Sequence, residues 1–271
     1  MDSFVILHND FYPTSSIILL QNLKNLLKKN CINDCQIQQL PLGNKLSFLM
    51  QERFYYKVLK VLITIQKEDK QTLICDSQSL IVIIKLIKKL YEEQEFKEEL
   101  THFLKEEIDI LALEGSIKFI PEIVLETFKK DDNFRSWKGF KAAFIIDREL
   151  ESFVKEIQFL EKLENILELK ILPFYKDSYD YLLKINPTLA YKMASNDYYE
   201  MADCGVDFIM TANIGNFEIF DRHSKMIQKT AGRDDLEIPL LFLPQVFLST
   251  FRDSNATNLL FKEHNIPPKM L

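Results

Sequence analysis

The chain has 271 residues, 47% hydrophobic and 27% charged, with a formal net charge of −6, the composition of an ordinary globular protein of one or two domains. Acidic and basic residues are mixed along it, which speaks against nucleic-acid binding, since that needs a concentrated basic surface. Its four cysteines make no disulfide framework, and its apolar runs fall short of the roughly 20 residues of a membrane span.

The apolar run 3–7 ends at His8-Asn9-Asp10 and predicts a buried strand. No basic segment precedes it, so it is not read as a secretory signal; the chain is placed in the cytoplasm with its thiols reduced. Residues 14–29 carry Ile17, Leu20, Leu23 and Leu27 at helical spacing, with Thr14, Ser15 or Ser16 as the cap. A strand is expected over 36–40, closed by Pro41, then a helix over 46–66 and a strand over 72–75. Asp76 and Ser77 are cap candidates for a helix over 79–91, and 92–110 reads as a charged amphipathic helix. The alternation restarts after Gly139: strand 142–146, Asp147 capping a helix through Leu163, and strand 167–172 closed by Pro173. Helix 187–202, strand 206–210 and helix 213–229 follow. Strands alternating with helices predict an α/β fold with parallel sheets flanked by helices.

The halves repeat in order, which suggests a duplication with lobes 1–135 and 136–271. Phe119-Ile120-Pro121 and the seven residues after it return as Phe242-Leu243-Pro244 and its followers, with Pro, Leu, Thr and both Phe in register. Ile37 to Leu42 parallels Leu169 to Phe174; Phe4 to Leu7 parallels Ala143 to Ile146; Thr72 to Cys75 parallels Met210 to Asn213.

Two such units in tandem resemble the B-type subunit of heterodisulfide reductase and are similar to the cysteine-rich iron–sulfur subunits of lactate, glycolate and glycerol-phosphate oxidation systems. The resemblance is carried by Asn186-Pro187-Thr188-Leu189-Ala190, by Met201 to Ala212 with Asn213, Asn216 and Asp221 after it, and by Phe242-Leu243-Pro244-Gln245. In that family each half holds a Cys-Cys-Gly turn and a Cys-x-x-Cys at a strand-to-helix junction. On the alignment the second-half Cys-x-x-Cys positions are Asn213 and Asn216, and Cys-Cys-Gly falls on Asp177, Ser178 and Tyr179. In the first half the turn falls on Lys45, Leu46 and Ser47, and the pair on Cys75 and Gln78. An earlier cysteine of each half would fall near His8 to Asp10 and near Asp147 to Glu149, where there is none. An iron–sulfur cluster takes about four thiolates, and only Cys75 stands at a matching position. The resemblance therefore implies a relative without clusters.

Other chemistry is sparse. The six glycines are too scattered for a dinucleotide fingerprint or a P-loop. Cys31 and Cys35 have zinc-like spacing but no second pair. Cys75 sits where a helix N-terminus can activate a thiol, or is a buried inert one. His8, ending the first strand, lies where open parallel sheets bind ligands, or is a surface histidine. The segment Thr211 to Asn216 could face an anion, or Asn213 simply caps a helix. The expected crevice consists of Asn213, Asn216, Asp177, Ser178, Lys45, Cys75, Gln78 and His8, with no metal and no cofactor. The expected role is a non-catalytic binding or scaffolding protein that contacts a protein partner, as a redox-complex subunit or a homo-oligomer. A reductase subunit and a small-molecule or anion binder stand as alternatives.

Overall fold

The structure, a computed structural model, describes residues 4–9, 12–40, 51–128, 130, 134–233 and 236–269. The chain forms two compact units: 1–16 with 32–123, and 17–31 with 124–271. The first contains a four-stranded parallel sheet of β1 (Phe4–His8), β2 (Cys35–Gln39), β3 (Gln71–Ile74) and β4 (Ile117–Phe119), in the order β2-β1-β3-β4. The second contains β5 (Lys141–Asp147), β6 (Lys170–Lys176), β7 (Phe208–Thr211) and β8 (Leu240–Phe242), also parallel, in the order β6-β5-β7-β8. The predicted α/β class with two tandem lobes is what the chain adopts, and strand order and direction are the same in both.

Central strands are apolar because both of their faces are covered. Residues 142–147 of β5 and all of β7 are buried, whereas β2 and β6, at sheet edges, are largely open. That edge position explains one departure from expectation. Pro173 does not close a strand; it lies inside β6, paired with Phe144. A proline removes a ladder donor, which an edge strand tolerates on its outer side. Strand 167–172 is thus corrected to Lys170–Lys176, and Leu167 ends a helix.

Among the described residues the α-helices are α1 (Pro13–Lys29), α2 (Gln51–Lys67), α3 (Ser77–Glu92), α4 (Gln94–Leu104), α5 (Ile110–Gly115) and α6 (Ile120–Thr127) in the first half of the chain. The second half has α7 (Glu151–Glu156), α8 (Phe159–Leu167), α9 (Pro187–Asp203), α10 (Ile214–Phe217), α11 (Ser224–Ala231) and α12 (Leu243–Leu248). Helix α1 starts one residue before the expected caps, at Pro13, whose missing N–H is harmless in a first turn. Three long predicted helices are interrupted. The charged one over 92–110 breaks at Glu93 and stops at Leu104, where Lys105 turns left-handed (φ 58°). The one after Asp147 is cut by Gln158 (φ 52°). The one from Asn213 continues from α10 through a π-helical turn, Glu218–Arg222, before α11.

Strands β4 and β8, three residues each, were not expected. They place the repeated motif: Phe119 and Phe242 each end a fourth strand, and Pro121 and Pro244 each stand second in the helix that follows. In the second unit Phe217 stacks on Phe242 at 4.1 Å, and Trp137 lies 4.9 Å from Phe208 with its indole N–H donating to the Val246 carbonyl. Each such buried ring contributes about 3 kcal/mol or more relative to alanine.

Candidate functional site

In both sheets the strand order reverses between the first and third strands, β1 and β3 or β5 and β7. Open parallel sheets bind ligands just beyond the C-terminal ends of the strands at such a switch point. Register fixes what stands there. Leu7 pairs with Ile74 and Ile145 with Thr211, and two residues further on lie Asn9 and Asp76 in one lobe, Asp147 and Asn213 in the other.

These residues bond to each other. The Asn9 amide donates from Nδ2 to Asp76 Oδ1 at 3.1 Å, and the Asn213 amide donates from Nδ2 to Asp147 Oδ1 at 2.6 Å. All four are buried. The lobes thus carry the same carboxylate–carboxamide pair with the partners exchanged between the strands. The third-strand member is also a helix cap in each case. Asp76 accepts from the backbone N–H and the hydroxyl of Ser79, at 3.0 and 2.6 Å. Asn213 accepts from the N–H groups of Gly215 and Asn216, at 2.7 and 3.0 Å, and its own N–H donates to Thr211 Oγ1. Each strand-end helix thereby finds partners for its first free N–H groups. Burial raises the Asp76 carboxyl above its usual range, and the bonds from Ser79 and nearby His8 offset part of that rise.

This register keeps the Phe119–Phe242 match and moves the other three repeat matches: Leu7 is the counterpart of Ile145 rather than Ile146, Gln38 of Phe174 rather than Lys170, and Ile74 of Thr211 rather than Ala212. Asp76, not Cys75, is the counterpart of Asn213, and Ser79, not Gln78, is the counterpart of Asn216. Caps, pair partners and the Phe119–Phe242 match all agree on it. Cys75 is buried; its thiol donates to the Leu7 carbonyl at 3.1 Å and lies 3.9 Å from the Asp76 carboxylate. Burial, reinforced by the Asp76 charge, pushes that thiol well above the ordinary range, so it stays protonated. Gln78 is half-buried in the first turn of α3. His8 is half-buried, with Nδ1 3.1 Å from the Asn9 carbonyl. Lys45 lies outside the described residues.

Around the second clasp, Arg148 stands 3.9 Å from the exposed Asp177, and Ser178 donates to buried Asp180 at 2.8 Å. Lys176, paired in register with Asp147, lies 2.6 Å from Glu200 and 3.1 Å from Asp197. Burial works against its charge, but those two carboxylates outweigh it and raise its pKa. Asp177 and Ser178 are therefore at the same sheet end as Asn213, but in a solvent-facing layer. Asn216 is different: it is fully buried, and among the described residues neither its amide nitrogen nor its oxygen has a hydrogen-bond partner.

A second buried network was not anticipated. Gln245 accepts from the Phe242 N–H with Oε1, which orients its amide. Its Nε2 then donates to the Leu259 carbonyl at 2.8 Å and to His264 Nε2 at 2.9 Å. The imidazole must accept at Nε2, so its proton sits on Nδ1, facing Asp221 Oδ1 at 3.5 Å. Gln245, one of the residues carrying the family resemblance, thus fastens the C-terminal segment to α12.

The residues at the switch points do not fit an iron–sulfur cluster, because amides and carboxylates bound to one another stand at the ends of both strands. Among the described residues no three His, Cys, Asp or Glu side chains converge to hold a metal, and no helix is long and apolar enough to cross a membrane.

Residues 179–265 match the family model of the HdrB-like C-terminal domain. No curated protein matches the chain. A hypothetical protein from Helicobacter pylori, known from a crystal structure, superposes with a TM-score of 0.79 at 21% identity, over 99% of this chain and 53% of that one. The chain thus spans about half the length of that protein, and the likeness establishes the fold.

Proposed function

We propose that this chain, whose second lobe carries an HdrB-like C-terminal domain, is a cluster-less relative of the B-type heterodisulfide reductase subunit that serves in a non-catalytic binding or scaffolding role. One observation carries the reading: each switch point is closed by a buried Asn–Asp pair, with the partners exchanged between lobes. A pair that accepts either order is a structural element, since chemistry at the strand ends would require a given group on a given strand. The shared strand order and the placement of Pro121 and Pro244 support descent of lobes 1–135 and 136–271 from one duplicated unit. The four cysteines form no disulfide with one another, which suits a cytoplasmic setting.

The competing redox reading would run through Cys75, and its buried, protonated thiol speaks against that. The test is affinity purification from native cells of the wild type and Cys75→Ser. A scaffolding protein recovers the same partner in both cases, and the assembly keeps its activity. Loss of activity with assembly intact would decide for a redox role.

The small-ligand reading has its own support in Asn216, whose two buried polar atoms have no hydrogen-bond partner among the described residues. Asn216→Leu separates the two: a site that is only structural gains stability when unmatched polar atoms are removed, whereas a site that holds a polar molecule loses it.

A further inference from the structure

Away from the strand ends, the second unit contains a cleft of ≈ 640 Å³. One wall is a face of α1 bearing Gln21, Asn25, Lys28 and Lys29. The other is the segment after α12, with Asp253, Ser254, Thr257 and Asn258. Between them lie Leu248 and Leu259, both buried, which give the cleft an apolar floor.

The walls are tied down. Asn22, on the inner face of α1, donates to the Leu259 carbonyl at 3.3 Å, and Ser254 donates to the Leu248 carbonyl at 2.6 Å. Asn255 Oδ1 accepts from the N–H groups of both Thr257 and Asn258, at 3.0 Å each. The polar tips facing the cleft are not engaged in the same way. Lys29 is neutralised by Asp253 at 2.5 Å and lies 5.0 Å from the Phe251 ring. Lys28 is exposed and, among the described residues, forms no ion pair. The side chains of Gln21, Asn25 and Asn258 likewise make no hydrogen bond among the described residues. Fixed walls, an apolar floor, three free carboxamides and one uncompensated cation are the components of a small-molecule site, and the volume falls within the range of about 300–1,000 Å³ typical of such sites.

We propose that this cleft binds a small anion, a carboxylate or a phosphate monoester. Its charged group meets Lys28, its hydrogen-bonding groups meet Asn25 and Asn258, and a short apolar part rests on Leu248 and Leu259. The cleft and the strand-end clasps share no residue, so either reading can fail alone.

The experiment is a titration of the full ¹⁵N-labelled chain with acetate and with inorganic phosphate, using chloride as the ionic-strength control. Saturable shifts of the Asn25, Asn258 and Gln21 side-chain amides are expected, with a dissociation constant in about the millimolar range for such fragments. The tighter of the two anions identifies the charged group. Lys28→Gln should weaken binding about tenfold, Lys28→Arg should retain it, and Lys24→Gln, on the same helix but outside the cleft, should leave it unchanged. Far-UV circular dichroism confirms that the exposed variants fold. Shifts that do not saturate, that chloride reproduces, or that survive Lys28→Gln unchanged would overturn the proposal, as would the absence of any shift.

Discussion

Exchanging the partners of one clasp should leave the fold nearly intact, although setting two carboxylates against each other would not. The sharpest perturbation is Asn213→Asp. It keeps the helix-capping oxygen but removes the donor that reaches Asp147 at 2.6 Å, and sets two buried carboxylates face to face. They cannot both ionise at that distance, so one takes up a proton. Holding a proton at pH 7 on a group whose unfolded pKa is about 3.9 costs 1.36 kcal/mol for each of about three units, a ceiling of about 4 kcal/mol. The sign follows from linkage: the shared proton's folded pKa is raised, so the variant matches the wild type below about pH 4 and loses about 1.4 kcal/mol per unit as pH rises above that. Adding Asp147→Asn restores one carboxylate and one carboxamide in the order the first lobe already uses, with Asn on the first strand and Asp at the helix cap. The double variant should therefore return to within about 1 kcal/mol of wild type at pH 7, recovering about 3 kcal/mol of the loss. Urea unfolding followed by fluorescence measures it, because Trp137, the sole tryptophan, is buried in the second unit against Phe208. A double variant as unstable as Asn213→Asp alone, or a penalty that does not change with pH, would refute the reasoning.

Three further outcomes follow from the same geometry. Asp76→Ala should destabilise by about 2–4 kcal/mol, through loss of the cap and an unsatisfied Asn9 amide. Asp76→Asn should cost less than about 1 kcal/mol and remove the decline in stability that the raised Asp76 carboxyl produces as pH climbs above its ordinary value of 3.8; equal losses for the two in urea unfolding would contradict this. Asn216→Leu is expected to raise stability by about 1–3 kcal/mol in a purely structural site, read as a shift of the urea midpoint, and a lowered midpoint would indicate an occupied one. With a chromogenic disulfide at pH 8, exposed Cys31 and Cys204 should react at once and Cys75 only on unfolding; rapid native labelling of Cys75 would reverse the conclusion that it is inert.

Much of the architecture was legible because buried parallel strands are short apolar runs between helical periods, as in Phe4–His8 and Lys141–Asp147. Strands β4 and β8 were missed because three residues are too few to show a period. Pro173 misled because the rule against proline applies to central strands, and only the sheet order shows that β6 is an edge. At the site, the sequence located the strand ends and the cap role of Asn213 but slipped by one residue on Cys75, since a thiol resembles a missing ligand more than an aspartate does. The Phe-x-Pro repeat, carried through the strand register, contains the correct offset. The clasps themselves were beyond reach: Asn9 and Asp76 are 67 residues apart, Asp147 and Asn213 are 66, and no local pattern links them. The same holds for His264 and Asp221, which meet only through the folded C-terminal segment.

The central claim is that hydrogen-bonded side chains have replaced metal ligation at both switch points. It is tested most directly by iron analysis of the 271-residue chain after anaerobic reconstitution with iron and sulfide. Iron far below one per chain is expected once the protein is desalted. Retention of about four irons per chain, the content of a single [4Fe–4S] cluster, would contradict it.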